Sequence, residues 1–233
     1  MIIENDTVIP FSKMRRMIAD RLAYSKSHIP HFTLEVDVDM DASLKLRVSY
    51  NSGHGLRVSV NDLIVKAAAG SLRTFEKLNS HVSEDKLVVK KDINIGIAVS
   101  VDGGIIVPVI PKADSKTIDE ISGISRKKIA DARRCVVDPR IAGTFTISNL
   151  GTHGVKSFTP IINPPECGIL AVGCIEKRVI HNEKRNAMEA HSMMSVTLAC
   201  DHRGTDGVYA AEFLSCVKRM LEEPETLFKE GGR

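Results

Sequence analysis

One stretch near the C-terminus constrains this chain more than any other. The apolar run Met193 to Cys200 reads as a buried strand. The run Val208 to Leu221, with Phe213, Leu214, Val217, Met220 and Leu221 on one face, reads as an amphipathic helix. Only Asp201-His202-Arg203-Gly204-Thr205-Asp206-Gly207 stands between them. A strand end and a helix start this close must be joined by a tight turn, which holds side chains more rigidly than a long loop. Taken one by one these residues have ordinary readings: Asp206 as a helix N-cap, Gly207 as an aid to the turn, His202 as a satisfied core histidine. Yet Asp201, Arg203 and Asp206 crowd His202 directly after an apolar strand. Polar groups at a buried strand end are costly unless they are paired or used. The pattern favours a functional site centred on His202.

The remaining chain alternates strands and helices. Ser12 to Lys26 reads as a helix with Met14, Ile18 and Leu22 on one face, and Ile29-Pro30 stops it. Phe32 to Met40 alternates apolar and polar residues as a half-buried strand does. A short helix follows Asp41 and ends before the Asn51-Ser52-Gly53-His54-Gly55 loop. Val60 to Leu78 reads as a long apolar helix with Asn61 and Asp62 as caps. Ile93 to Val101 and Ile105 to Ile110 flank Asp102-Gly103-Gly104, a hairpin signal. Thr117 to Arg134 is a further helix. Strands are expected at Gly143 to Ser148, Gly168 to Ile175, Val179 to His181 and Met193 to Cys200, the last two joined by a polar tip, Asn182 to Asn186. Strands joined by hairpins outnumber helices, which implies an α+β fold: a mixed β-sheet with helices packed on one face.

Composition excludes several functions. The 233 residues are 43% hydrophobic and 26% charged, enough for one globular domain with a sizeable core or two small ones. A net charge of +3, from 32 basic and 29 acidic residues, is too mild to argue for nucleic acid, and no basic run is interleaved with aromatics. No apolar stretch approaches the roughly 20 residues of a membrane span. Met-Ile-Ile-Glu-Asn-Asp lacks the basic-then-apolar order of a signal peptide, and residues 1–8 read as an N-terminal tail. The five cysteines, Cys135, Cys167, Cys174, Cys200 and Cys216, are odd in number and contain no C-x-x-C pair. That argues against a disulfide framework and a zinc site, and no metal is expected. All but Cys135 sit in apolar runs as small core residues, so a reducing compartment is the simplest setting.

His202-Arg203-Gly204-Thr205-Asp206-Gly207 resembles the H-x-x-x-D-G signature of the dihydrolipoamide acyltransferases, the core components of 2-oxo-acid dehydrogenase complexes. Chloramphenicol acetyltransferase shares that signature. Other stretches resemble the dihydrolipoamide family in the same order: Met14 to Leu22, Ile29-Pro30-His31-Phe32, Val60 to Ala69, Gly103 to Ile110, Gly143 to Gly151 and Asn163-Pro164-Pro165-Glu166. The similarity runs from about Ile9 to Phe228. One departure stands out: the family has two apolar residues where this chain has Gly204-Thr205, a change that would loosen the loop or reshape its pocket.

The resemblance implies a chloramphenicol acetyltransferase-like sandwich over residues 1–233. It implies transfer of an acyl group, acetyl by preference and succinyl or branched-chain acyl as alternatives, between dihydrolipoamide and coenzyme A. A simple thiol has a pKa of about 8.5 and is mostly protonated at neutral pH, so a neutral imidazole at its side supplies the missing base. His202 takes that part. Negative charge then develops on the thioester oxygen, and the family's T-I-S/T-N hydroxyl, here Ser148, donates to it. Asp206 pairs with an arginine, Arg16 or Arg21, and fixes the loop. His31 and Asn149 line the substrate channel. His153 sits exposed in the Gly151-Thr152-His153-Gly154 turn, and His28, His54, His81, His181 and His191 lie in loops or strand ends without convergent partners. Coenzyme A acts as substrate, and the lipoyl group comes from a lipoyl domain not on this chain, as do contacts with the 2-oxo-acid dehydrogenase and dihydrolipoamide dehydrogenase components. The family further implies homotrimers, with a channel between neighbours, built into a larger cubic or icosahedral core, in bacterial cytoplasm or the mitochondrial matrix. Two competing readings are an acyltransferase for a small free acceptor and a scaffold subunit with a degenerate site.

Overall fold

The structure is a computed structural model that describes residues 6–53, 57–136, 138, 140–183 and 185–229. Part of the expected tail (residues 1–5), His54 and Gly55 of the expected loop and Lys184 of the expected tip lie outside the described residues. In chain order the elements are α1 (Lys13–His28), β1 (His31–Asp39), α2 (Asp41–Gly53), α3 (Val60–Leu72), β2 (Ser80–Val82), β3 (Leu87–Val89), β4 (Ile95–Ile97), β5 (Val99–Val101), β6 (Gly104–Ile106), β7 (Val109–Ile110), α4 (Ile118–Arg133), β8 (Phe145–Asn149), β9 (Gly168–Asn182), β10 (Ala187–Asp201) and α5 (Gly207–Glu222).

Six strands form one mixed sheet in the order β1-β10-β9-β8-β4-β7, and β2-β3 and β5-β6 form two small hairpins. Directly opposite residues share a face, so the register sorts the side chains. Leu34, Leu198, Leu170, Ile147 and Ile97 make one row across five strands. That row faces the main core with Phe213, Leu214 and Val217 of α5 and Leu63, Ile64 and Ala67 of α3. Glu35, Thr197, Ala171 and Ser148 make the alternate row on the opposite face. There Ile29, Ile162, Ile169 and Ala199 form a small second cluster. The long helix α1 stands apart from the core: Ser25 is its one buried residue.

Helix α5 is the anchor of the C-terminal turn. Phe213 is fully buried and meets Phe145 of β8 edge-on at 5.7 Å and Phe75 at 5.9 Å. Burying such a ring contributes roughly 1.5–3 kcal/mol. Both ends of the turn at 201–207 are therefore held by the core, one through β10 and the other through α5.

Several boundaries differ from those read in the sequence. The helix from Val60 ends at Leu72, and its cap is Ser59 in a capping box with Asp62 rather than Asn61. Residues beyond it make a short 3₁₀ turn and the unforeseen β2-β3 hairpin. The expected strand from Ile93 to Val101 splits at Ala98: β4 stays in the main sheet and β5 turns out to pair with β6. Its partner splits at Val107-Pro108, since proline has no N–H for a ladder. Conversely, the two expected strands at Gly168 to Ile175 and Val179 to His181 are one continuous β9.

Candidate active site

The turn after β10 is built around Asp201, which is fully buried. Its carbonyl accepts the Gly204 and Thr205 N–H groups at 3.0 and 3.2 Å, and its carboxylate accepts the Arg203 N–H at 3.0 Å. The Arg203 side chain returns to the same carboxylate, with Nε at 3.0 and 3.2 Å and Nη2 at 2.6 Å. His202 N–H donates to the Pro30 carbonyl at 3.1 Å. The His202 ring rests against Phe32 with centroids 4.7 Å apart, and the residue is exposed. The loop therefore points an imidazole outward from a fully hydrogen-bonded backbone.

Gly204 belongs to this construction. A Cβ there would lie 2.9 Å from Cys167 Sγ and 3.0 Å from Leu87 Cδ1, so the β2-β3 hairpin packs where a side chain would stand. The glycine seats the turn tightly rather than loosening it. Thr205 is buried at 6% exposure, and its hydroxyl has no hydrogen-bond partner.

Asp206 does not pair with Arg16 or Arg21 within this chain. It caps α5, its carboxylate accepting the Tyr209 N–H at 3.0 Å. Arg21 donates instead to the Pro164 carbonyl. The aspartate–arginine pair of the loop is Asp201–Arg203, two residues whose proximity was visible in the sequence but whose pairing was not.

Ser148 and Asn149 end β8 on the other side of the sheet's width. Ser148 is half-buried on the face away from the main core. Asn149 accepts the Gly151 N–H at 2.8 Å and donates to Asn61 Oδ1 at 3.3 Å. The structure does not bring Ser148 and His202 together in one chain. Cys200 pairs with Gly168, and Ile169 pairs with Thr146, so Asp201 lies level with Thr144, four residues short of Ser148. Four residues at ~3.3 Å and two strand spacings of ~4.8 Å separate the two positions by about 16 Å.

Other candidates resolve differently. His31 is locked: its Nε2 accepts the Ile162 N–H at 3.1 Å, so Nδ1 carries the proton and donates to the Ile29 carbonyl at 2.8 Å. Neither nitrogen is left for a ligand in the channel it was expected to line. His191 and His81 do have partners, contrary to expectation. His191 Nδ1 lies 2.6 Å from Asp39 and 3.4 Å from Asp41, and His81 Nε2 bonds the Gly143 carbonyl at 2.9 Å. Cys167 and Cys200 are buried as expected, but Cys174 and Cys216 are only half-buried. Burial pushes the Cys167 thiol up to about 11 and Cys200 higher still, so neither serves as a nucleophile.

Sequence reasoning missed Glu166. It is 3% exposed on the second face, accepting the Thr146 hydroxyl at 2.6 Å and Asn163 Nδ2 at 3.0 Å. Burial pushes its carboxyl up to about 7, against the pull of those two bonds and of the Arg21 charge. Its place in Asn163-Pro164-Pro165-Glu166 marked a motif without revealing a buried acid.

A buried mixed sheet, helices on one face and an exposed imidazole between a core strand and a core helix make a scaffold that known proteins share. Chloramphenicol acetyltransferase resembles it in fold alone, with a TM-score of 0.58 at 15% identity over 96% of this chain and 99% of that one. Residues 3–229 match the family model of the 2-oxoacid dehydrogenases acyltransferase catalytic domain, and the chain belongs to that family. The mitochondrial dihydrolipoyllysine-residue acetyltransferase component 3 of the pyruvate dehydrogenase complex of Arabidopsis thaliana is 42% identical over 226 residues, covering 94% of this chain and 42% of its own length. The chain thus spans about half the length of the curated relatives it matches. A crystal structure addressing the roles of a serine, a histidine and an asparagine in the catalytic mechanism of Azotobacter vinelandii dihydrolipoamide acetyltransferase superposes with a TM-score of 0.90 at 27% identity, covering 97% and 95% of the two chains. The cubic core of a pyruvate dehydrogenase multienzyme complex does so at 0.90 and 28%, with the same coverage. No helix among the described residues is long and apolar enough to cross a membrane.

Proposed function

We propose that this domain transfers an acetyl group between dihydrolipoamide and coenzyme A. His202 Nε2 takes the proton of the acceptor thiol as its sulfur attacks the thioester carbonyl carbon. The Ser148 hydroxyl donates to the oxyanion of the tetrahedral intermediate. Collapse expels the other thiol, which recovers the proton from the imidazolium, so no group on the enzyme is acylated. The observation that carries this reading is the exposed imidazole on a backbone with every amide from 201 to 205 hydrogen-bonded. The Azotobacter protein adds support, since its serine precedes its histidine and its asparagine follows that histidine by four positions, as Asp206 follows His202 here.

The separation of about 16 Å between Ser148 and Asp201, the residue before His202, supports a site shared across a subunit boundary. In this reading a homotrimer is the working unit, and the His202 loop of one chain meets the Ser148 strand end of the next. Such trimers would build a larger core in the manner of the cubic core that shares this fold. In this reading a lipoyl domain presents the substrate to the site. The mitochondrial and bacterial relatives support a setting in the mitochondrial matrix or a bacterial cytoplasm.

Incubating the protein with acetyl-coenzyme A and dihydrolipoamide tests the proposal, and release of free coenzyme A thiol with acetyl-dihydrolipoamide is the expected result. Competing succinyl- and branched-chain acyl-coenzyme A against the acetyl donor reads the acyl preference. A protein that folds and assembles but transfers no acyl group would be the scaffold subunit of the alternative reading. Faster transfer to a small hydroxyl acceptor would make it the free-acceptor enzyme.

A further inference from the structure

We propose that Asp201 and Arg203 are the positioning pair of the active-site loop, clamping the backbone on either side of His202 so that its imidazole has one orientation. The inference rests on the reading of His202 as the base and goes beyond it, because both residues act through the backbone that carries His202.

Asp201 closes β10. It pairs with His31 of β1, its N–H reaches the Cys167 carbonyl at 2.9 Å, and none of its surface is exposed. A carboxylate in such a place needs a counter-charge and filled lone pairs. Arg203 supplies both, through its backbone N–H and through Nε and Nη2 of the guanidinium fork. The partners are two residues apart, and the residue between them is His202. Pairing them bends the chain sharply there, and the Asp201 carbonyl completes the bend by taking the Gly204 and Thr205 amides.

The exposed side chain of His202 rests against Phe32. The inner side of the turn is filled, as the missing Cβ of Gly204 shows against Cys167 and Leu87. Asp206 acts at the far end of the loop, where it starts α5, and leaves the orientation of His202 to the Asp201–Arg203 clamp. Arg203 rather than lysine suits this because the guanidinium holds the carboxylate along two parallel bonds, fixing angle as well as distance.

A general base misplaced by an ångström loses rate without losing substrate, on the order of 10²-fold. Arg203→Met, a change at a partly exposed side chain, should therefore lower kcat by about 10- to 100-fold with the KM for both thiols nearly unchanged. Arg203→Lys, which keeps the charge but not the fork, should recover part of that loss. Asp201→Asn should match Arg203→Met, and the double variant should be no slower than either single one, since each residue acts through the other. Retention of full kcat in Arg203→Met, or losses that multiply in the double variant, would overturn the clamp. If Asp201→Asn fails to fold, the two Arg203 variants decide the matter alone. His202→Ala, measured alongside, keeps the ideas apart: its full activity would sink the base assignment, whereas its inactivity beside a fully active Arg203→Met sinks only the clamp.

Discussion

At the scale of single residues, His202 and Ser148 are asked for different contributions, and kinetics can separate them. Replacing His202 with alanine should lower kcat by roughly 10²–10⁴-fold with coenzyme A affinity little changed, because only proton transfer is lost. Ser148→Ala should lower kcat by about 10²–10³-fold at constant KM, since the hydroxyl matters as charge develops on oxygen. A pure KM effect would make Ser148 a ground-state binding residue. Thr205 offers a test of stability. Its buried hydroxyl lacks a partner, and an unsatisfied group of that kind costs about 1–3 kcal/mol, so Thr205→Val should raise the unfolding free energy by about 1 kcal/mol, read as a higher urea midpoint. A lower midpoint would mean that the hydroxyl is satisfied. His202, Ser148 and Asp206 stood out in the sequence as candidates because each sits in a short-range motif. The cap reading of Asp206 was open in the sequence, but the pairing of Asp201 with the arginine was not, because both aspartates lie within reach of Arg203 along the chain. The sequence could not show that His31 is locked either, because the partner amide belongs to Ile162, far away in sequence.

At the scale of elements, the Glu166 network ties β8 to the Asn163-Pro164-Pro165 segment on the sheet's second face. An ordinary glutamate near 4.5 in the unfolded chain and near 7 in the folded one means that only the folded state holds the proton between those values. Stability is then undiminished below about 4.5 and falls as pH rises through 7. Glu166→Gln keeps an acceptor for Thr146 and cannot ionise. Its unfolding midpoint relative to the wild type should therefore climb across that window, and parallel curves for the two proteins would refute the shift. Element boundaries were legible where periodicity and caps agreed, as in α4 and α5. They failed where charges replaced the apolar signal. Residues 176–178 carry β9 onward through Arg178, which bonds Glu176 at 2.7 Å and Asp37 of β1 at 2.8 Å. No alternation of hydrophobicity announces a strand held by ion pairs. The split of β4 from β5 escaped for the opposite reason, since isoleucine or valine stands at every other position from Ile93 to Val101 and the pattern shows no break at Ala98.

At the scale of the whole molecule, the fold and family were legible nearly from end to end, while assembly was visible only as an implication of resemblance. The proposed shared site predicts complementation. Inactive Ser148→Ala and His202→Ala chains, dissociated and reassembled together in equal amounts, should regain about one quarter of wild-type activity, because that share of sites draws both intact residues from different chains. Mixed trimers as silent as either parent would return both residues to one chain.

The distance between Ser148 and His202 also has a statistical signature. Let a doubly substituted chain, lacking both residues, be reassembled with wild type at fraction f. Sites confined to single chains lose activity in proportion to f, a straight line. Sites assembled from two neighbours survive only when both chains are intact, so activity follows the square of (1 − f) and falls to about one quarter at equal proportions. The curvature of a dilution series thus measures how many polypeptides the site needs, with no structure of the assembly required.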